Sequence, residues 1–222
     1  MSTYVKYPRT YHLPYSPTVS ADDKRLDSDE HFKRMDAVYC SIKMDGENTT
    51  VYPDGYIHAR SLDGSKYPWQ TWLKSYVRTW CKNIPDGWRV CGENLYAKHS
   101  IEYTFPYPQY LFQVFGIYTV DNIALSYEDT RLYCELIGGL KMVDVFYVGK
   151  YDRDTILRKF AEYRDGYGNE VEGFVVRDCA PFRYGDFSQH VGKYVREGHV
   201  QTDVHWTEHW TKNEVIMGLQ RG

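Results

Sequence analysis

Six consecutive residues, Lys43-Met44-Asp45-Gly46-Glu47-Asn48, follow an apolar β-prone run, Val38-Tyr39-Cys40-Ser41-Ile42. An amine at a strand end, a carboxylate two residues on, a glycine and an amide are the parts of a nucleophilic site. A free lysine has a pKa of about 10.4 and is almost wholly protonated at neutral pH, so it attacks nothing. Burial and neighbouring cations favour the neutral amine, which leads to the expectation that Lys43 lies in an enclosed, electropositive site. The strand end would fix the amine in position. Gly46 would let the chain turn sharply and approach a ligand closely. Read alone, the stretch Lys43 to Gly46 also fits a solvated surface hairpin.

Five further segments carry a polar or charged side chain on a β-prone run. A hairpin follows Lys43: Thr49-Thr50-Val51-Tyr52, a Pro53-Asp54-Gly55 turn, then Tyr56 to Ser61 with Arg60 at its end. Next come Trp88-Arg89-Val90-Cys91-Gly92-Glu93-Asn94-Leu95-Tyr96 and Leu111-Phe112-Gln113-Val114-Phe115-Gly116-Ile117-Tyr118. The last two are Val171-Glu172-Gly173-Phe174-Val175-Val176-Arg177 and Val191-Gly192-Lys193-Tyr194-Val195-Arg196.

In this order and with these gaps, the segments resemble the motifs of covalent nucleotidyltransferases, the superfamily of ATP-dependent ligases and mRNA capping enzymes. The stretch Glu197-Gly198-His199-Val200-Gln201-Thr202-Asp203 is similar to the RNA ligase 2-like branch, and the resemblance spans about Tyr39 to Trp206. It implies that Lys43 is the nucleophile that carries AMP. It implies nucleotide contacts from backbone groups near Ile42 to the adenine edge, from Asp45 and Asn48, and from Arg60 to the nucleotide or a 5′ phosphate. Glu93 would hold the ribose, a role suited to a carboxylate accepting two hydroxyl hydrogen bonds. Phe115 would stack on the base, worth about 1–3 kcal/mol. Glu172 would serve the divalent metal and the lysine, and Lys193 the α-phosphate.

The implied activity is ATP-dependent sealing of RNA 5′-phosphate and 3′-hydroxyl ends, with ATP as AMP donor and Mg²⁺ or Mn²⁺ as metal. DNA nick sealing, GTP-dependent capping and non-catalytic end binding are the alternatives. One position departs from the pattern: the family's fifth motif often has a second lysine where this chain has Val195. Arg196 alternates to the other face of the strand, so either one cation suffices or Arg196, Arg177 or Lys98 compensates.

Composition sets bounds. The chain has 222 residues, 42% hydrophobic and 17% aromatic, enough for a substantial core. A net charge of −3 argues against bulk electrostatic binding of nucleic acid and for a local basic face at most. Lys74, Arg78, Lys82, Arg158, Lys159 and Arg164 are candidates for such a face. Cysteines 40, 81, 91, 134 and 179 make no Cys-x-x-Cys pair and fit reduced thiols in a cytoplasm. No signal peptide or membrane span is visible.

The elements that must position these residues follow from pattern. Pro68 to Lys82 reads as an amphipathic helix opened by proline. Ser126 with Asp129 opens a second helix, to about Ile137 and stopped by Gly138-Gly139. Asp152 to Arg164 reads as a third, with Gly166 as its stop. β-prone stretches are 38–43, 49–52, 56–61, 88–95, 110–118, 142–149, 172–177 and 190–196. Hairpins outnumber βαβ units, so the expected class is α+β: antiparallel sheets flanking a nucleotide cleft, with peripheral helices. The expected organisation is a single domain over 1–222, its motif-bearing core about 38–206 and a helical tail about 207–222. No oligonucleotide-binding barrel is expected, so a partner protein is a candidate source of further nucleic-acid binding. His205-Trp206-Thr207-Glu208-His209 matches a zinc-protease pattern. It has only Glu214 as a downstream carboxylate, and packing of Trp206 and Trp210 on the core is the favoured reading.

Overall fold

The computed structural model describes residues 4–19, 23–62, 67–199 and 210–216. Its strands, in chain order, are β1 (Tyr11–His12), β2 (Val38–Lys43), β3 (Glu47–Val51), β4 (Ile57–Ala59), β5 (Arg89–Asn94), β6 (Thr104–Phe105), β7 (Phe112–Tyr118), β8 (Ile123–Ala124), β9 (Val145–Gly149), β10 (Gly173–Asp178), β11 (Phe182–Arg183), β12 (Val191–Val195) and β13 (Glu214–Val215). The helices are α1 (Glu30–Lys33), α2 (Gln70–Val77), α3 (Tyr127–Gly138), α4 (Arg153–Glu162) and α5 (Phe187–His190). The class is α+β. One sheet runs β1-β12-β10-β2-β9, antiparallel except for the β1–β12 edge; the other runs β11-β8-β7-β5-β3-β4, antiparallel throughout.

Period-two alternation along the strands, shifted at a bulge in β7 where Cys91 pairs with Gly116 but Gly92 with Val114, sorts side chains between three apolar layers. On β2 and β10, Val38, Cys40, Phe174 and Val176 join Phe32 and Ile156 beneath α1 and α4. On β3, β5 and β7, Val51, Val90, Phe112, Val114 and Ile117 pack against Leu73 and Val77 of α2 and Ile137 of α3. The opposite faces supply Cys91, Phe115, Tyr118, Val175 and Val191 to a third cluster shared by both sheets. The residues that alternate with the outer core therefore point inward, where the sheets face one another, and Lys43, Glu93 and Lys193 belong to that inward set.

Glycines beside these residues answer to close approach. A Cβ on Gly173 would meet the Tyr194 carbonyl oxygen at 1.9 Å, and one on Gly46 the Asn94 carbonyl oxygen at 2.6 Å. Gly46 has no positive φ. Its role is thus contact between backbones, where a sharp turn was expected.

Helices match their signals with small shifts. Ser126 Oγ accepts from the Asp129 N–H and Gly139 closes α3 in the left-handed region, φ 64°. Asp152 caps α4, which ends at Glu162, two residues short of expectation, because Tyr163 turns extended at ψ 137°. The 68–82 helix is only α2 plus a 3₁₀ turn over Cys81–Asn83. The helical tail is corrected within the described part: residues 210–216 run extended. The Asn213 side chain accepts from Tyr103 N–H and donates to the Leu95 carbonyl, while β13 pairs with β6. These long-range bonds override local preference. Trp210 does lie against rings, 5.9 Å from Tyr96 and 6.2 Å from Trp69. The 205–209 motif and Trp206 lie outside the described residues. The basic face is also corrected: α2 and α4 cover different sheets, and Arg158 and Lys159 pair with Glu162.

Gly173→Ala is expected to cost about 1–3 kcal/mol, because a methyl group cannot fit against a strand backbone without displacing it. Urea unfolding checks this, and an unchanged midpoint would show that β10 and β12 separate freely.

Candidate active site

Strand pairing brings the inward residues together. Gly173 stands opposite Lys43 on β2 and opposite Val195 on β12, Val175 opposite Lys193, and Asn48 opposite Glu93. A cavity of about 420 Å³ between the sheets is lined by Ile42, Lys43, Asn48, Arg60, Glu93, Phe115 and Lys193. These residues, expected to meet at one nucleotide, do meet.

The amine of Lys43 is hydrogen-bonded to Glu172 Oε2. Glu172 is 1% exposed. Burial alone would favour the neutral amine, but the charge and hydrogen bond of Glu172, then the charges of Glu93 and Asp45, outweigh it and raise the Lys43 pKa above its ordinary value. This corrects the expectation of an electropositive surround: the lysine sits among carboxylates and is held as an ammonium. The wrong sign has a simple origin, since Glu172 and Glu93, from distant segments, join the neighbouring Asp45 only in the fold.

Glu93 has the opposite problem. Burial, reinforced by Glu172 and Asp45, raises its pKa to about 8 against the pull of Lys43 and of the Gly46 N–H, which donates to Oε1 at 3.2 Å. Lys193 is lowered by burial, opposed by its hydrogen bond and charge pairing with Asp23 at 3.0 Å. Asp23 also accepts from His12 Nε2 at 3.0 Å, and His12 Nδ1 meets Ser16 Oγ at 2.9 Å. Burial would raise Asp23, yet these two partners hold it down at about 2.

Asp45 does not line the cavity. Its carboxylate accepts from Ser100 Oγ at 2.6 Å and Ile101 N–H at 2.9 Å, and its own N–H donates to Tyr103 Oη. Asp45, Glu172 and His199 each present one ligand atom, all within 4.8 Å of one another. Two carboxylate oxygens and an imidazole suit Mg²⁺ poorly on the nitrogen and Mn²⁺ well, so the donor set fits a divalent cation. Of the three cations weighed as substitutes for the second lysine, Arg196 is committed to the Val171 carbonyl and Glu170, and Lys98 to Glu102. Arg177 alone lines the cavity, its NH1 on Ser41 Oγ at 2.6 Å and its guanidinium 5.6 Å from the Phe115 ring centroid. Asn48 Oδ1 and Arg177 Nε are buried with no hydrogen-bond partner, both on cavity residues.

Tyr7, Pro8, Arg9, Thr10 and Asp23 also line the cavity. Sequence reasoning missed them, as it missed His12 and His199. The N-terminal stretch shows no apolar periodicity; the one signal was its density of tyrosine.

The RNA ligase family model matches residues 36–195, and the chain belongs to the RNA ligase family. No curated protein matches it. Among solved structures, an archaeal ATP-dependent RNA ligase superposes with TM-score 0.51 at 23% identity, over 86% of this chain and 48% of that one. A Naegleria gruberi RNA ligase mutant with AMP and Mn superposes at 0.52 with 15% identity, over 77% and 52%. Another mutant of that ligase, with ATP and Mn, gives 0.50 at 17% identity over the same shares. The chain thus spans about half the length of these structures, and the likeness is one of fold.

Two outcomes follow from the electrostatics. Glu172→Gln removes the leading source of the raised Lys43 pKa, so an amine-reactive acylating reagent at pH ~8 should modify Lys43 faster in the variant, read by peptide mass mapping; an equal or slower rate would mean that the pair does not hold the proton. For Glu93, the folded state keeps a proton that the unfolded chain releases above about 4.5, so this group's stabilising contribution declines as pH rises from there to about 8. Glu93→Gln has no such proton, and its melting temperature should gain on that of the unaltered protein across this window; parallel curves would refute the shift.

Proposed function

We propose that this chain carries the nucleotidyl-transfer site of an ATP-dependent RNA ligase. One observation bears most of the weight: the Lys43 amine, in contact with buried Glu172, opens onto a cavity whose other walls present Glu93, Phe115, Arg60 and Lys193. Its volume, about 420 Å³, lies in the usual range for small-molecule sites. Family membership and fold point the same way. The archaeal relative is an ATP-dependent ligase, and the Naegleria protein was solved with ATP and Mn, which supports ATP as donor and a divalent metal here.

In this reading the base lies against Phe115, with Arg177 and the Ile42 backbone at its edge. Glu93 accepts from the ribose hydroxyls. Lys43 loses its proton, for which Glu172 is the nearest acceptor. The free amine then attacks the α-phosphorus; an N–P bond forms, a P–O bond breaks and pyrophosphate leaves. Lys193 bears the charge that accumulates on the α-phosphate oxygens. In the second step an oxygen of an RNA 5′ phosphate attacks the same phosphorus, the N–P bond breaks and Lys43 recovers a proton. In the third, a 3′ hydroxyl attacks the activated 5′ phosphorus; a P–O bond forms to give the phosphodiester, the P–O bond to AMP breaks, AMP leaves and the hydroxyl proton passes to solvent. Asp45, Glu172 and His199 would hold the divalent metal, which when bound neutralises phosphate charge. Five unpaired cysteines suit a reducing, cytoplasmic setting, and no helix among the described residues is long and apolar enough to cross a membrane.

Sealing of a nicked RNA duplex bearing 5′-phosphate and 3′-hydroxyl ends tests this, with ATP and GTP in parallel. ATP-dependent product is expected, lost in Lys43→Ala and reduced at least a hundredfold in Glu93→Ala. Product of equal yield from Lys43→Ala would overturn the assignment, and GTP dependence would redirect it toward capping chemistry.

A further inference from the structure

Residues 4–10 precede the region matched by the family model. They cross the mouth of the cleft pinned at several points. The Tyr4 ring stacks on Tyr56 at 3.9 Å, the Val5 N–H donates to Tyr52 Oη at 2.7 Å, and Tyr184 Oη donates to the Lys6 carbonyl at 2.8 Å. Tyr7 is buried, its ring 4.9 Å from Phe115 and 5.3 Å from Phe187. The segment is therefore held to the β3–β4 hairpin at one end and to the shared core at the other. Lys6 and Arg9 are exposed on this fixed backbone.

A second hollow, about 710 Å³ and wide open, begins where the nucleotide cavity ends. The two share Tyr7, Arg9, Asn48, Arg60 and Glu93, and Lys6 lines the outer one alone. Three cations thus follow the floor from the nucleotide outward. Two acids also line this hollow: Glu47 accepts from Trp69 Nε1 and Gln70 Nε2, both at 3.0 Å, and Glu93 has its pKa raised by burial to about 8. A surface of this kind suits a flexible chain of phosphates that starts at the reacting phosphorus. It does not suit a compact anion, because the cations are spread along an open channel.

We propose that residues 4–10 form a cationic strap, and that Lys6 and Arg9, with Arg60, grip the backbone phosphates of a 5′-phosphorylated RNA strand whose end enters the nucleotide cavity. The proposal rests on the nucleotidyl-transfer reading for the identity of the strand. It adds a polynucleotide subsite built by a segment outside the family match, in a protein whose net charge of −3 offers no general attraction.

Fluorescence anisotropy with the full chain and a 3′-labelled, 5′-phosphorylated single-stranded RNA tests it without any chemistry. The double variant Lys6→Ala, Arg9→Ala should bind at least tenfold more weakly at low salt. Its salt dependence should be shallower by about 1.4 in log–log slope, the value for two lost phosphate contacts to a single strand. The charge-preserving pair Lys6→Arg, Arg9→Lys should bind within about threefold of the unaltered protein, which separates lost charge from lost folding. Lys82→Ala, Lys150→Ala removes two cations remote from the groove and should leave binding nearly unchanged. The proposal is overturned if the unaltered protein does not bind the RNA, if the first variant keeps affinity and slope, or if the remote pair weakens binding as much. Lysyl-AMP formation by the unaltered protein, assayed separately, judges the nucleotidyl-transfer reading: its absence would sink that reading and leave the anisotropy result standing.

Discussion

The ion pair between Lys43 and Glu172 joins folding to chemistry in this molecule. A carboxylate that is 1% exposed requires a compensating charge, and removing one member of such a pair typically costs about 3–5 kcal/mol. The pair lies where β2 ends and β10 begins, at the register that sets Lys43 opposite Gly173. The contact that aims the amine is thus also the one that closes the central strand pair of the first sheet. The pair holds Lys43 as an ammonium, so any attack by this amine requires proton loss inside a cage of acids. Positive charge is kept on the other walls, in Lys193, Arg177 and Arg60.

Two sheets are needed because each contributes residues the other lacks. The first carries Lys43, Glu172 and Lys193; the second carries Glu93, Asn48 and Phe115, with Arg60 just beyond β4. Strand alternation gives each sheet one face for its helices and one for the shared interior. The N-terminal segment completes the interior by inserting Tyr7 between Phe115 and Phe187 and by setting Asp23 and His12 behind Lys193. That triad fixes an ammonium which burial alone would tend to deprotonate.

Much of this was legible from residue pattern. The run Val38 to Lys43 is a strand with those bounds, and the stretches around Glu93, Phe115 and Lys193 became strands within one to two residues. Their apolar alternation is a local property, so local reading suffices. The cap on α3 was visible for the same reason: the Ser126 side chain accepts from an N–H three residues on. What escaped was non-local. The sign of the field at Lys43 depends on Glu172 and Glu93, which reach it only in space, together with its sequence neighbour Asp45. Residues 210–216, expected within a helical tail, are drawn out by Asn213, whose side chain bonds Tyr103 and Leu95 more than a hundred positions earlier. The N-terminal stretch over residues 4–10 has neither period nor length to announce it, and its course is set by contacts to the distant Tyr52, Tyr56 and Phe115. Asp45, the most conspicuous partner of Lys43 in the sequence, turned away from the cavity because Ser100 and Ile101 bind its carboxylate.

The central claim is that the Lys43 amine, and no other group, accepts the nucleotide. Proteolytic mapping by mass spectrometry of protein incubated with ATP and either Mg²⁺ or Mn²⁺ addresses it most directly. The account predicts one AMP per chain, acid-labile as a phosphoramidate is, confined to the peptide that contains Lys43. A folded protein with no adduct under these conditions, or an adduct on a different residue, would contradict it.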